Sequence, residues 1–170
     1  MKYYIGIDNG VSGSIGITSS DPDFTPEFHK TPVFKVQDYT KTKKNISRVD
    51  YFDLHDMLCM CSKCNIDSIN AIALVERPMI NPGRFKASIS AARALEVTLL
   101  VLEDLDIPYQ FLDSKQWQKE MLPKGVKGST ELKKASKDIG ERLFPQFKGM
   151  KGVKDFDGIL ISEWAKRNNL

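Results

Sequence analysis

The chain has 170 residues, 41% of them hydrophobic and 28% charged, which suits one soluble domain with a sizeable core. No apolar run approaches the roughly 20 residues of a membrane span, and the first strand begins almost at residue 1, so neither membrane insertion nor a signal peptide is expected and a cytosolic location is the default. The net charge of +3 is small, but between Lys115 and Lys154 eleven basic residues stand against four acids; such a block suits a polyanion face, with a solvated lysine-rich helix as the plain alternative.

In chain order, residues 2–8 and 12–19 read as two strands joined through Asn9, Gly10, Ser12 and Gly13, a turn that tolerates unusual backbone angles. A third strand is expected around 27–36, at a sheet edge because Pro32 interrupts it. Residues 35–47 read as a lysine-rich surface loop, and Asp50 caps a helix running to about Lys63. That helix carries His55 and Cys59, with Cys61 and Cys64 beyond; a regular helix cannot gather them round one zinc ion, so the thiols read as small core residues.

Ile69 to Val75 is nearly continuous in apolar residues, the mark of an internal strand covered on both faces. A proline-containing loop leads to a long helix, Arg84 to Leu105, whose second half is apolar nearly all round and so predicts contacts on two sides, with the sheet on one and another helix or a partner subunit on the other. A short strand follows at 108–112, a helix at 115–121 capped by Asp113 or Ser114, a basic loop, a helix from 129 or 130 to Leu143, a second basic loop, and a final helix from about Asp155 to Arg167. The sum is an α/β fold: an antiparallel meander followed by crossovers to parallel strands, in one domain over 1–170.

Asp8 and Glu76 each end a buried strand, and Asp155 and Asp157 open the last helix. A cap or dipole role accounts for an acid at a helix start, but converging carboxylates repel one another unless a cation sits between them. Oxygen-only ligands select Mg²⁺ or Mn²⁺ over zinc. A pair of such ions, roughly 4 Å apart, activates water and stabilises the leaving oxygen in phosphodiester hydrolysis.

Ile5-Gly6-Ile7-Asp8, Ala73-Leu74-Val75-Glu76-Arg77-Pro78 and Asp157-Gly158-Ile159-Leu160-Ile161-Ser162-Glu163 together resemble the three ordered acidic motifs of RuvC-like Holliday-junction resolvases, compact phage-type members above all, within the RNase H-like nuclease superfamily. The resemblance covers nearly the whole chain and implies a mixed five-stranded sheet flanked by helices. It implies a homodimer through the 84–105 helix, acting on four-way DNA junctions in a bacterial or phage-infected cell. It also implies two Mg²⁺ ions (or Mn²⁺) on Asp8, Glu76, Asp157 and a fourth acid. That fourth ligand, an acid or a histidine, usually falls three residues before the last aspartate in the family, where this chain has Lys154; Asp155 is the substitute. A catalytic lysine is expected among Lys119, Lys127, Lys133 and Lys134, with Lys134 chosen for the catalytic role. Arg77, Arg84, Phe85, Lys86, Lys119, Lys124, Lys127 and Lys133 are the expected DNA contacts, with Met79, Ile80 or Phe85 inserting into the junction.

Three rivals stand beside this reading. A nucleotide-binding phosphate loop at Asp8–Ser14 would need a second similar lobe, for which the chain has no room. A nuclease for other branched DNA or RNA–DNA hybrids would share the fold, and so would a binding module without chemistry.

Overall fold

The protein was analysed as a computed structural model, which describes residues 1–38, 41, 44–60 and 70–170. In chain order the elements are β1 (Tyr3–Ile7), β2 (Ser14–Ser19), β3 (Glu27–Lys30), β4 (Val33–Gln37), β5 (Asn45–Val49), α1 (Tyr51–Met60) and β6 (Ala71–Glu76), then α2 (Phe85–Asp104), β7 (Tyr109–Leu112), α3 (Ser114–Met121), α4 (Ser129–Leu143) and α5 (Asp157–Arg167). The main sheet has five strands in the order β3-β2-β1-β6-β7. β1, β2 and β3 pair antiparallel; β1–β6 and β6–β7 pair parallel. This is the expected mixed sheet, with β3 at its expected edge.

Period-2 alternation sends each strand's side chains to two cores. Tyr3, Ile5, Ile7, Ile15, Ile17, Ala73 and Val75 face the helices α1 and α2. Tyr4, Ile72, Leu74 and Leu112 face Trp117 of α3 and Ile159, Leu160 and Ile161 of α5. The continuous apolar run of β6 is thus explained by helices on both faces.

On the second face the sheet has a gap in its side chains. Gly6 and Gly16 are cross-strand partners in β1 and β2, and α5 lies across these two strands. A Cβ on Gly6 would collide with the Gly158 carbonyl and the Ser162 amide, and one on Gly16 with the Ile159 backbone. The glycine pair lets the first turn of α5 rest directly on the sheet backbone. The Ser14 hydroxyl accepts from the Gly158 N–H (3.1 Å) and pins that turn.

Three expectations need correction. The third strand does not run through to Val36: it ends at Lys30, and the chain turns at Thr31-Pro32 to leave the sheet. The supposed loop over 35–47 instead contributes to a separate antiparallel hairpin, β4–β5, registered from Val33↔Val49 to Gln37↔Asn45. Its alternation of Val33, Lys35 and Gln37 with Phe34 and Val36 suits a strand despite the lysines. The last helix begins at Asp157, not Asp155. Asp50 does cap α1, accepting from the Phe52 and Asp53 amides at 3.1 and 3.3 Å; the expected end of that helix, with Cys61 and Cys64, lies outside the described residues.

Candidate active site

Ile7 and Val75 are register partners in the parallel β1–β6 pair. The next residues, Asp8 and Glu76, therefore stand side by side at the carboxyl end of the sheet. The glycine groove brings the start of α5 to the same point. One carboxylate oxygen each from Asp8, Asp155 and Asp157 lies within 4.8 Å of the others. Glu76 stands outside this tightest group but is close enough for its charge to act on Asp8. Gly13 closes the turn behind Asp8, where a Cβ would strike the Asp8 carbonyl.

α4 supplies two side chains to the cluster. Lys133 and Ser136, three positions apart, share one helix face. The Lys133 ammonium pairs with Asp155 at 2.7 Å. The buried Ser136 hydroxyl donates to Asp157 Oδ1 (2.5 Å) and accepts from the Phe156 N–H (3.0 Å). Asp155 itself is 3% exposed, so its pairing with Lys133 answers the cost of a buried charge.

The other carboxyls remain short of positive charge. Burial, then the charges of Asp157, Glu76 and Asp155, push Asp8 well above the usual carboxylate range, with only Lys133 opposing. Burial and the Asp157 charge lift Glu76 to about 7, against opposing effects of Trp117 and Ser114. The Trp117 indole N–H, as a donor beside it, favours the ionised form of Glu76. Burial and Asp155 lift Asp157 to about 6, while the Ser136 hydroxyl and Lys133 pull it down. At Lys133 burial disfavours the charge, but Asp155, Asp8 and Asp157 outweigh it and the pKa rises. A buried all-oxygen donor set that holds its protons this tightly is suited to a hard divalent cation, which replaces those protons.

Among the expected site residues, Asp8, Glu76, Asp155 and Asp157 converge. Of the lysines, Lys133 reaches the acids, whereas Lys134, one position along α4, is exposed. Arg77 follows Glu76 and is engaged with Asp113 (3.2 Å) and the Phe111 ring (5.2 Å). Arg84, Phe85 and Lys86 are exposed where α2 begins, and Lys119, Lys124 and Lys127 are exposed on α3 and the loop after it. Met79, Ile80 and Phe85 are 84, 60 and 69% exposed, unusual for such side chains. Ser136 and Trp117 were not foreseen; a serine within a lysine-rich helix gives no sequence signal of its own.

No protein-family model matches the sequence, and comparison with curated proteins finds no match. Solved structures do match in fold. RuvC from Thermus thermophilus in complex with a Holliday junction substrate superposes with a TM-score of 0.61 at 9% identity, covering 99% of this chain and 95% of that one. A second Thermus thermophilus RuvC structure gives a TM-score of 0.57 at 10% identity, covering 98% and 96%. The chain therefore has a RuvC-like, RNase H-like fold over nearly its whole length.

Proposed function

We propose that the chain is a divalent-metal-dependent endonuclease that resolves four-way DNA junctions. The observation that carries this reading is the carboxylate cluster of Asp8, Asp155 and Asp157, with Glu76 beside it, at the carboxyl end of β1 and β6 on a fold shared with RuvC. Asp8, Glu76, Asp155 and Asp157 are the residues to hold two Mg²⁺ ions, or Mn²⁺ in their place. Divalent cations at such a site supply a more acidic attacking water and counter-charge for the leaving oxygen.

The chain's own groups prepare that chemistry. Ser136 fixes the orientation of Asp157 by its short hydrogen bond. Lys133 pairs with Asp155 and is the cation we assign to the charge developing on the phosphate; Lys134 is reassigned to DNA contact. Trp117, fully buried, closes the inner wall behind Glu76. The exposed Met79, Ile80 and Phe85 form an apolar wedge beside the site, flanked by Arg84 and Lys86. Lys119, Lys124 and Lys127 extend the contact along the backbone, and Arg77 shapes the rim next to Glu76.

Symmetric cutting of two strands calls for a two-fold dimer. What supports one is a largely apolar groove of about 620 Å³ between α2 and β5, lined by Ile46, Val49, Ile89, Val97 and Leu100, with Arg93 and Glu96 among the polar residues there. The test is cleavage of a synthetic four-way junction beside matched duplex, fork and RNA–DNA hybrid, in Mg²⁺ and in Mn²⁺, with sedimentation at micromolar protein. Selective junction cutting by a dimer is expected. A monomer that prefers the hybrid, or cleavage that survives Asp8→Asn, would overturn the proposal.

A further inference from the structure

The stretch from Val33 to Val49 has no part in the carboxylate site, yet it is a second concentration of positive charge. Lys35, Lys41, Lys43, Lys44 and Arg48 stand there against Asp38 alone, whereas outside this stretch and the 115–154 block seventeen acids face nine basic residues. A solvated surface ordinarily mixes both signs. A one-sign patch on an otherwise acidic chain suits a polyanion.

The fold makes this stretch a two-stranded ribbon. Its register sets Lys35 opposite Ser47 and Gln37 opposite Asn45, and period-2 alternation puts these four side chains on one face. Lys35, Gln37 and Asn45 are exposed there, with Lys44 exposed next to Asn45. β5 packs against α2. Ile46 and Val49 line the groove between them, whereas Lys35, Gln37, Lys44 and Asn45 do not. The ribbon is thus held to the body by apolar residues and leaves its lysines to solvent. Among the described residues no ion pair engages Lys35 or Lys44.

The ribbon starts at the catalytic end of the molecule. Lys30, the last residue of β3, is the register partner of Ser14, whose hydroxyl pins the first turn of α5. The Thr31 N–H then donates to the Gly13 carbonyl (3.1 Å), and the Asp50 N–H donates to the Pro32 carbonyl (3.0 Å) to close the ribbon's base. From that base, beside the turn that follows Asp8, the paired strands reach roughly 15 Å, about four base-pair steps of duplex.

We propose that the β4–β5 ribbon grips a duplex arm of the junction away from the cut, with Lys35 and Lys44 on backbone phosphates of that arm. The inference rests on the nuclease reading and deepens it: the carboxylates act at the crossover, and the ribbon requires an extended arm leading away from it.

The experiment is junction binding in EDTA across a salt series. It compares the wild type, the double variant Lys35→Gln with Lys44→Gln, and a reference that loses two charges elsewhere, Lys2→Gln with Lys166→Gln. The ribbon variant should bind roughly tenfold worse, with a salt slope smaller by about two, while the reference keeps the wild-type slope. A patch of uncharged methylphosphonate linkages in one arm, about four base pairs from the crossover, should weaken the wild type and leave the ribbon variant indifferent. Cleavage in Mg²⁺ at saturating protein should be the same for all three. A ribbon variant with the wild-type slope, or with the wild-type response to the patch, would make the ribbon a solvated surface. A ribbon variant that sediments as a monomer where the wild type is a dimer would assign it to the subunit contact. Either result overturns the proposal while junction cutting by the wild type stands. A wild-type protein that neither binds nor cuts the junction removes both readings together.

Discussion

The metal-free protein should lose stability as pH rises, because its own carboxyls resist ionisation. Glu76 has an ordinary value of 4.5 and is lifted to about 7 in the fold. Below pH 4.5 it is protonated in both the folded and unfolded chains and costs nothing. Between 4.5 and 7 the unfolded chain ionises freely while the folded one does not, so the unfolded state gains. At about 1.4 kcal/mol per pH unit, the loss from Glu76 is roughly 3 kcal/mol by pH 7, and it stays constant above. For a chain of this size that is roughly 6–12 °C in Tm. The assay is thermal melting in EDTA from pH 4.5 to 8.5, wild type beside Glu76→Gln, then repeated in millimolar Mg²⁺ or Mn²⁺. The difference between the two proteins should widen with pH up to about 7 and then level, with Glu76→Gln the more stable. A divalent ion should raise the wild type most above pH 7, since it binds the folded state alone. A difference curve that is flat across this range would refute the electrostatic account of the site.

Three substitutions probe its parts. Asp8→Asn should lower junction cleavage by roughly a thousandfold, the worth of several kcal/mol of metal-borne stabilisation, yet melt higher than wild type in EDTA at pH 8; a lower melting point there would show that Asp8 is not the crowded charge described. Ser136→Ala orphans the Phe156 N–H and strips Asp157 of its donor. It should cost about 2 kcal/mol, read by urea unfolding, and raise the divalent ion concentration for half-maximal stabilisation. Gly16→Ala drives a Cβ into the Ile159 backbone; a loss of about 3 kcal/mol, with weakened ion binding, is expected, and unchanged unfolding would show that α5 does not bear on the sheet there.

Asp8 and Glu76 were readable because each ends an apolar run in a carboxylate, a pattern that strand burial alone does not require. Parallel pairing of β1 and β6 then sets them side by side, as the crossover order implies. The choice between Lys133 and Lys134 was beyond the sequence, since adjacent helical residues point about 100° apart and only the docking of α4 decides which faces inward. Ser136 faces inward by the same docking. Asp155 was placed with the metal acids but not with Lys133, 22 residues away; that pairing depends on tertiary packing. The β4–β5 hairpin was hidden by its composition: lysines in Lys35–Ser47 outweighed an alternation that strands tolerate when one face meets water.

The seat of α5 on Gly6 and Gly16 also fixes when in folding the chemistry can exist. Ser14 and Gly158, which the groove holds together, are 144 residues apart in the chain. During synthesis β1 and β6 can pair long before α5 has emerged, and domains form contacts as segments become available. Such an intermediate carries Asp8 and Glu76 but neither Asp155 nor Asp157, and it exposes the apolar face that Ile159, Leu160 and Ile161 later cover. The complete carboxylate cluster and a closed second core thus arrive in the same late, long-range step, which loop-closure entropy makes slow. A chain that stalls before that step lacks two of its four clustered carboxylates and leaves that apolar face open to water.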